Sequence, residues 1–416
     1  MQNYSTKDHQ KQSALLWIVC CLLVLIFGRT ELNHIFKLLT PILVTTICLF
    51  LLKYIPLHYK LISAYFLFFS ISIVSVLGLS APLTGGYAAT SNPYLYGLSF
   101  YAASMAFHLY SRTDFNLTQT YKFSNPLLLI TGPIVLFIKK RNGNRVKNRI
   151  NYYLPFIILG LFFYQLIASP LISLFFLIEK TDIISTLLFA IIFEIFVYAN
   201  FCGLSLMIFG VFGVVGYKIP LNFQQPFTSS NVIEFWQGWH VSLSTVLKTI
   251  FYLPSRQKFS QFFSLCFVFL ASALWHGVTL NFLIWGCFHA FIFWISVTIL
   301  KYKVMFLPTI LLFVGVILGR LIFAESDIFR LLEKLTFSYN GTSSFAIFLD
   351  TSINTKLALI LGLSLISIEF AFQKNSFVKK RNYKHLRTPL VQLFIIIIII
   401  LFIINTGGDY AVYGQR

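Results

Sequence analysis

Two tryptophan-histidine pairs stand out in this chain. Trp239-His240 lies within EFWQGWHVSLS at 234–244, and Trp275-His276 opens ALWHGVTLNFLIWGCFHA at 273–290, which also carries Asn281, Trp285 and His289. Imidazole titrates near neutral pH, so a histidine can take the proton of a hydroxyl as that oxygen attacks a carbonyl carbon; the chemistry this favours is transfer of an acyl group to an alcohol. Other catalytic apparatus is missing from the sequence. There is no GxSxG elbow and no GxxxxGK[ST] or GxGxxG phosphate cradle, and the apolar stretches hold few carboxylates, chiefly Glu194 and Glu325, so no Ser/His/Asp set assembles.

Each histidine also has a plainer reading. His240 follows Trp236 by four residues and precedes Ser244 by four, which on a continuous helix gives one Trp, His, Ser face. That spacing suits a positioned histidine and equally an anchor at headgroup depth. His276 closes an apolar run, where a titratable group is costly unless satisfied or used, so it is either a satisfied core histidine or a base. His289 follows Trp285 by four and reads as part of an aromatic stripe, hydrogen-bonded to a neighbouring helix. His9, His34, His58 and His385 sit in polar or basic connectors and His108 ends an apolar run, which places all five at surfaces or interfaces.

The elements that must position these residues are membrane helices. Of 416 residues 57% are hydrophobic and 11% charged, where soluble domains carry about 25% charged residues. Runs approaching the roughly 20 apolar residues that cross a bilayer recur near 13–28, 33–52, 60–80, 95–110, 125–138, 151–178, 183–215, 259–275, 280–300, 304–324, 355–373 and 388–405. The fold class is an all-α polytopic bundle of about 11 to 12 membrane helices with short re-entrant or interfacial helices, a single integral membrane domain over 1–416. The first run reads as a retained helix, because no small-residue cleavage site follows it. The segment 80–97 is a candidate re-entrant piece.

The net charge of +19 does not indicate nucleic acid, since Lys and Arg fall in short segments between apolar runs, as in KKRNGNRVKNR at 139–149 and KKRNYKHLR at 379–387. Such loops set orientation and attract anionic lipid headgroups. With both on the cytoplasmic side, an even number of crossings separates them, and six spans lie between 151 and 373. The six cysteines lie in apolar sequence without metal-ligand spacing, and no metal site is expected.

The interval 217–260 departs most from membrane helix. Pro220 and Pro226 interrupt it, Ser229 to Asn231 offer an N-cap, and a helix is expected from Val232 to just before Pro254 with Glu234 in its first turn. This helix is too polar for lipid and should lie at the interface or line a cavity.

Taken in order, IPLNFQQPFTSSNVIEFWQGWHVSLS, ALWHG and WGCFHA resemble the signature of the membrane-bound O-acyltransferase family, in its bacterial branch. Weaker similarity extends through YGLSFYAASMAFHLY at 96–110, LLLITGPI at 127–134, YANFCGLSLMIFGVFGVVGYKIPLNF at 198–223 and LIFAESDIFRLLEKL at 321–335. The resemblance thus covers a core at 95–335 with its signature at 217–290. It implies a bundle with a central tunnel, His276 as catalytic base and His240 as a second active-site residue. Trp236, Trp239 and Trp275 would wall the cavity, and Ser242, Ser244, Asn281, Trp285 and His289 would complete the substrate-binding set. The chain departs from the pattern at Asn200 and Leu206, where relatives carry Asp, and at Lys248-Thr249, where they carry Arg-Asp.

The activity implied is transfer of an acyl group, foremost acetyl, from a cytoplasmic thioester such as acetyl-CoA or acyl carrier protein. The acceptor would be a hydroxyl of a cell-envelope polysaccharide, or of an extracytoplasmic partner acyltransferase that modifies it. No bound cofactor and no nucleic acid are implied, and the location is the bacterial cytoplasmic membrane. Two other classes remain open on sequence: a transporter or flippase of a lipid-linked precursor, with a midplane histidine as proton relay, and a non-catalytic scaffold of the same fold.

Overall fold

A computed structural model of the protein describes residues 17–18, 21, 32–52, 54–76, 93–108, 124–130, 132–134, 139–140, 146–177, 183–277, 279–302, 306–325, 328–336, 351–371, 392–393 and 395–397. Apolar runs become helices because a backbone in hydrocarbon must satisfy its own hydrogen bonds. The first three are α1 (Leu32–Leu52), α2 (Lys60–Val76) and α3 (Pro93–His108), followed by the short α4 (Pro126–Ile130) and strand β1 (Lys139–Lys140). Then come α5 (Val146–Phe162), a wide π-type turn at Phe163–Ala168, α6 (Ser169–Leu177), α7 (Ile183–Val215) and β2 (Tyr217–Lys218). The polar interval holds α8 (Val232–Gly238), α9 (Val241–Val246), a second π-type turn at Leu247–Tyr252, and α10 (Leu253–Arg256). The remainder is α11 (Gln261–His276), α12 (Leu280–Lys301), α13 (Leu307–Ala324), α14 (Ile328–Thr336) and α15 (Ile353–Ala371).

Among the described residues, five stretches are long and apolar enough to span a bilayer: Val146–Ile172, Ser185–Val215, Leu280–Lys301, Leu307–Ala324 and Ile353–Ala371. Shorter apolar helices stand at Leu39–Leu52, Lys60–Val74, Gly97–Phe107 and Gln261–His276. The chain is a multi-pass membrane protein. Nine of the expected spans are helices; those at 13–28 and 388–405 lie almost wholly outside the described residues, as do most of 80–97 and all of 379–387.

The span expected at 125–138 is not a membrane helix. Among its described residues only Pro126–Ile130 coil, after which the Gly132 N–H turns back to the Leu127 carbonyl (3.2 Å). Pro133 brings no N–H, and its carbonyl accepts from the Tyr101 hydroxyl (2.6 Å), while the Ile134 N–H donates to Ser242 Oγ (2.9 Å). Lys139 and Lys140 pair antiparallel with Lys218 and Tyr217. The backbone here is satisfied by partners distant in sequence, which apolar composition does not report. The segment 321–335 is likewise two elements, its first residues ending α13 and its last forming α14.

Among the described residues two large apolar cores hold the bundle, beside a small cluster at Leu166. One gathers α2, α3 and the second π-type turn around Phe68, Phe100, Tyr101 and Phe251, with the Tyr65 hydroxyl donating to the Ile250 carbonyl (2.9 Å) of that turn. The other joins α5, α7, α12, α13 and α15 with the polar interval around Phe193, Tyr198, Trp239 and Trp285. α5 and α7 meet through Gly160 and Gly203: a Cβ on Gly160 would stand 2.5 Å from the Gly203 carbonyl oxygen, and one on Gly203 2.8 Å from that of Gly160. α15 is seated by Glu369, which accepts from the Tyr198 hydroxyl (2.5 Å) and the Phe227 N–H (3.2 Å).

Gly203→Leu should therefore part α5 from α7, at a cost of about 1–3 kcal/mol or more for overpacking. The expected result is a lowered thermal midpoint and loss of monodisperse protein in detergent, while Leu187→Ala on the exposed face of α7 leaves both unchanged.

Candidate active site

The polar interval begins as its sequence predicts. Asn231 caps α8 by accepting from the Glu234 N–H (3.0 Å), and Glu234 answers by accepting from the Ser230 N–H and hydroxyl (3.0 Å each). The single helix expected from Val232 to Pro254 does not form. α8 ends at Gly238, Trp239 is extended, and His240 adopts the left-handed region (φ 43°, ψ 58°) before α9 starts. Trp236, His240 and Ser244 therefore do not share one helix face.

The break is held from outside the helix. The Gln224 N–H donates to the Gly238 carbonyl (2.8 Å) and the Val241 N–H to the Asn222 carbonyl (2.8 Å), so the lead segment pairs on either side of it. Asn222 Oδ1 accepts from the Ser242 N–H (3.1 Å) and hydroxyl (2.7 Å). His240 Nδ1 accepts from the Leu243 N–H (3.3 Å) as the cap of α9. Ser244 Oγ stands 2.9 Å and 3.1 Å from the carbonyls of Trp236 and Trp239. The Ser242 and Ser244 hydroxyls thus fasten backbone, and Ser242 also carries Ile134 of the turn after α4.

His276 is the last residue of α11. Gly277 ends that helix, and the Phe282 ring lies where a Cβ on Gly277 would stand (2.6 Å). Around the His276 imidazole are the rings of Trp275 (4.6 Å), Phe323 (4.8 Å), Trp285 (5.6 Å) and Phe282 (5.9 Å). Trp275 leans on Phe100 of α3 (5.2 Å). His289 sits one turn below Trp285 (4.8 Å), beside Trp236 (5.2 Å) and stacked on Phe269 (5.9 Å). Its Nδ1 and Trp285 Nε1 are buried without a hydrogen-bond partner among the described residues. Asn281 is a strut: Nδ2 reaches the Ile322 and Phe323 carbonyls (3.3 and 3.4 Å) in the last turn of α13.

One ion pair is buried beside these rings. Arg320 of α13 donates from Nε to Glu194 of α7, and its guanidinium lies 4.6 Å over the Trp239 ring. Ring contacts thus gather His276, Trp275, Trp285, His289 and Trp236 in one cluster, while Trp239 and His240 pack on Phe223, with Phe235 joining Trp236 to Trp239. Sequence reasoning missed Arg320, Glu369, Phe323, Phe269 and Asn222. The signal for the two charged residues was present, since a lone Arg or Glu in an apolar span is expensive unless paired or used.

These features define a membrane bundle in which aromatic side chains and one buried ion pair surround a histidine at a helix end. The sequence profile of the membrane-bound O-acyltransferase family matches residues 7–302, and the chain belongs to that family. It is similar to the probable alginate O-acetylase AlgI of Pseudomonas syringae pv. tomato, 27% identical over 196 residues that make up 45% of this chain and 36% of that one. It is also similar to the peptidoglycan O-acetyltransferase of Helicobacter pylori, 36% identical over 96 residues (22% of this chain, 18% of the relative). A third relative is the teichoic acid D-alanyltransferase of Bacillus subtilis, 26% identical over 145 residues (31% of this chain, 37% of the relative). The matched part spans less than two fifths of the length of each of these relatives.

Asn222→Ala removes the acceptor for two donors at the break. It should lower stability by about 1–3 kcal/mol, the cost of buried donors left unmade. A drop in thermal midpoint checks this, and an unchanged midpoint would show that Asn222 does not hold the interruption.

Proposed function

We propose that the protein is an O-acyltransferase of the bacterial cytoplasmic membrane. It moves an acyl group, foremost acetyl, from a cytoplasmic thioester, acetyl-CoA or an acyl carrier protein, to a hydroxyl of a cell-envelope polysaccharide or of a partner protein that modifies it. The core assigned to this work is 95–335, with 217–290 carrying the chemistry. The observation that carries the reading is His276, placed at the end of α11 among Trp275, Phe282, Trp285 and Phe323. The names of the relatives, an O-acetylase, an O-acetyltransferase and a D-alanyltransferase, support the same class of transfer.

The step runs as follows. The acceptor hydroxyl oxygen attacks the thioester carbonyl carbon while the His276 imidazole takes its proton; the carbonyl π pair moves onto oxygen, giving a tetrahedral oxyanion. Collapse reforms the carbonyl and expels the thiolate, which takes the proton back from His276. Burial among aromatic rings excludes water and so limits hydrolysis of the thioester. In this reading Trp236, Trp275 and Trp285 wall the reaction space, while Trp239, Ser242, Ser244 and Asn281 shape it by holding backbone and Arg320 in place. His240 orients the donor from the break.

His276→Ala should abolish thioester-dependent acylation while the variant inserts and purifies like the parent. Mass spectrometry of envelope polysaccharide, peptidoglycan and lipopolysaccharide, from cells with and without the protein, identifies acyl group and acceptor together. Full acylation by a well-expressed His276→Ala protein would sink the proposal in favour of a scaffold.

A further inference from the structure

The guanidinium of Arg320 is nine-tenths buried yet largely unused. Its Nε–H goes to Glu194, and no other hydrogen bond joins it to a described residue. One face is covered by Trp239 at 4.6 Å, which leaves the terminal N–H groups as open donors in an apolar surrounding. Glu194 is bound on one side only, its Oε1 buried without a partner among the described residues. The pair therefore resembles a fixed cation with donors in reserve more than a closed salt bridge, which would use both oxygens and the fork of the guanidinium.

Its position gives those donors a use. Trp239 belongs to the first tryptophan-histidine pair, and Phe323, three residues after Arg320 on α13, touches His276 of the second at 4.8 Å. Arg320 thus lies on the turn of α13 that meets both pairs, Trp239 directly and His276 through Phe323.

We propose that Arg320 is the oxyanion-binding residue of this site: its free N–H groups receive the acyl carbonyl oxygen as negative charge builds on it, and Glu194 and Trp239 are the positioning residues that aim the guanidinium. The identification of that oxygen as a thioester carbonyl rests on the function proposed above; a small carboxylate offers the same oxygen geometry without it. A preorganised donor in a dry site acts on the oxygen where charge develops, not on the ground state.

The test uses the full chain in lipid nanodiscs with two probes: acetyl-CoA together with a soluble envelope polysaccharide as hydroxyl acceptor, followed by thiol release, and sodium acetate, followed by the shift in thermal midpoint. Arg320→Met alone would strand the buried Glu194 charge, so the neutral pair R320M/E194Q is the main variant. It should lose roughly 100- to 1,000-fold in kcat with KM for acetyl-CoA nearly unchanged, and should lose the saturable acetate shift of the parent. Arg320→Lys, which keeps the charge and loses the fork, should fall between the two, and it carries the test if the neutral pair does not fold. Parental kcat and acetate shift in either folded variant overturn the assignment while leaving the acyltransferase reading intact. An acetate shift that depends on Arg320, in a parent that releases no thiol, overturns that reading and keeps the anion site. A parent that does neither overturns both.

Discussion

The structure depends on how a broken backbone is satisfied at Trp239-His240. In an apolar bundle each unpaired N–H or carbonyl is costly, so a helix can be interrupted only where something else supplies partners. Asn222 and Gln224 do so, pairing with Gly238, Val241 and Ser242. The left-handed conformation of His240, uncommon for a residue with a Cβ, is held by those bonds. From the break follow the direction of Trp236 towards His289, the seating of Trp239 under Arg320, and the docking of Ile134 on Ser242.

Buried charge is the second constraint, and it ties together helices far apart in the chain. Glu194 and Arg320 join α7 to α13, while Tyr198 and Glu369 join α7 to α15. Desolvation offsets most of the attraction within such pairs, so they contribute little net stability compared with apolar packing. Their effect is on position. α7 is held close to α5 by Gly160 and Gly203, and its polar residues then register α13 and α15 around the histidines. A site assembled this way stands on helices rather than loops, which suits a geometry that must be kept within fractions of an ångström.

The aromatic content has a comparable role. Trp236, Phe269, Trp285 and Phe323 pack against His276 and His289 with ring faces and edges. The indole N–H of Trp285 and Nδ1 of His289 are buried and without a partner among the described residues. Their neighbourhood is the part of the enclosure that still has polar capacity.

The sequence by itself determined the class of fold and the family. Run length and composition measure transfer free energy residue by residue, and that quantity is local, so α1 to α3, α5, α7, α11 to α13 and α15 were legible in it. So was the Asn231 cap, which needs only Glu234 three residues on. The tertiary structure alone decided that 125–138 is not a span, that the polar helix breaks at His240, and that Ser242, Ser244 and Asn281 hold backbone. It alone joined Arg320 to Glu194, 126 positions away. Each of these depends on a partner distant in the chain, such as Asn222 for Ser242 or Tyr101 for Pro133. Periodicity and propensity carry no information about such partners, because they are chosen by the packing of the whole bundle.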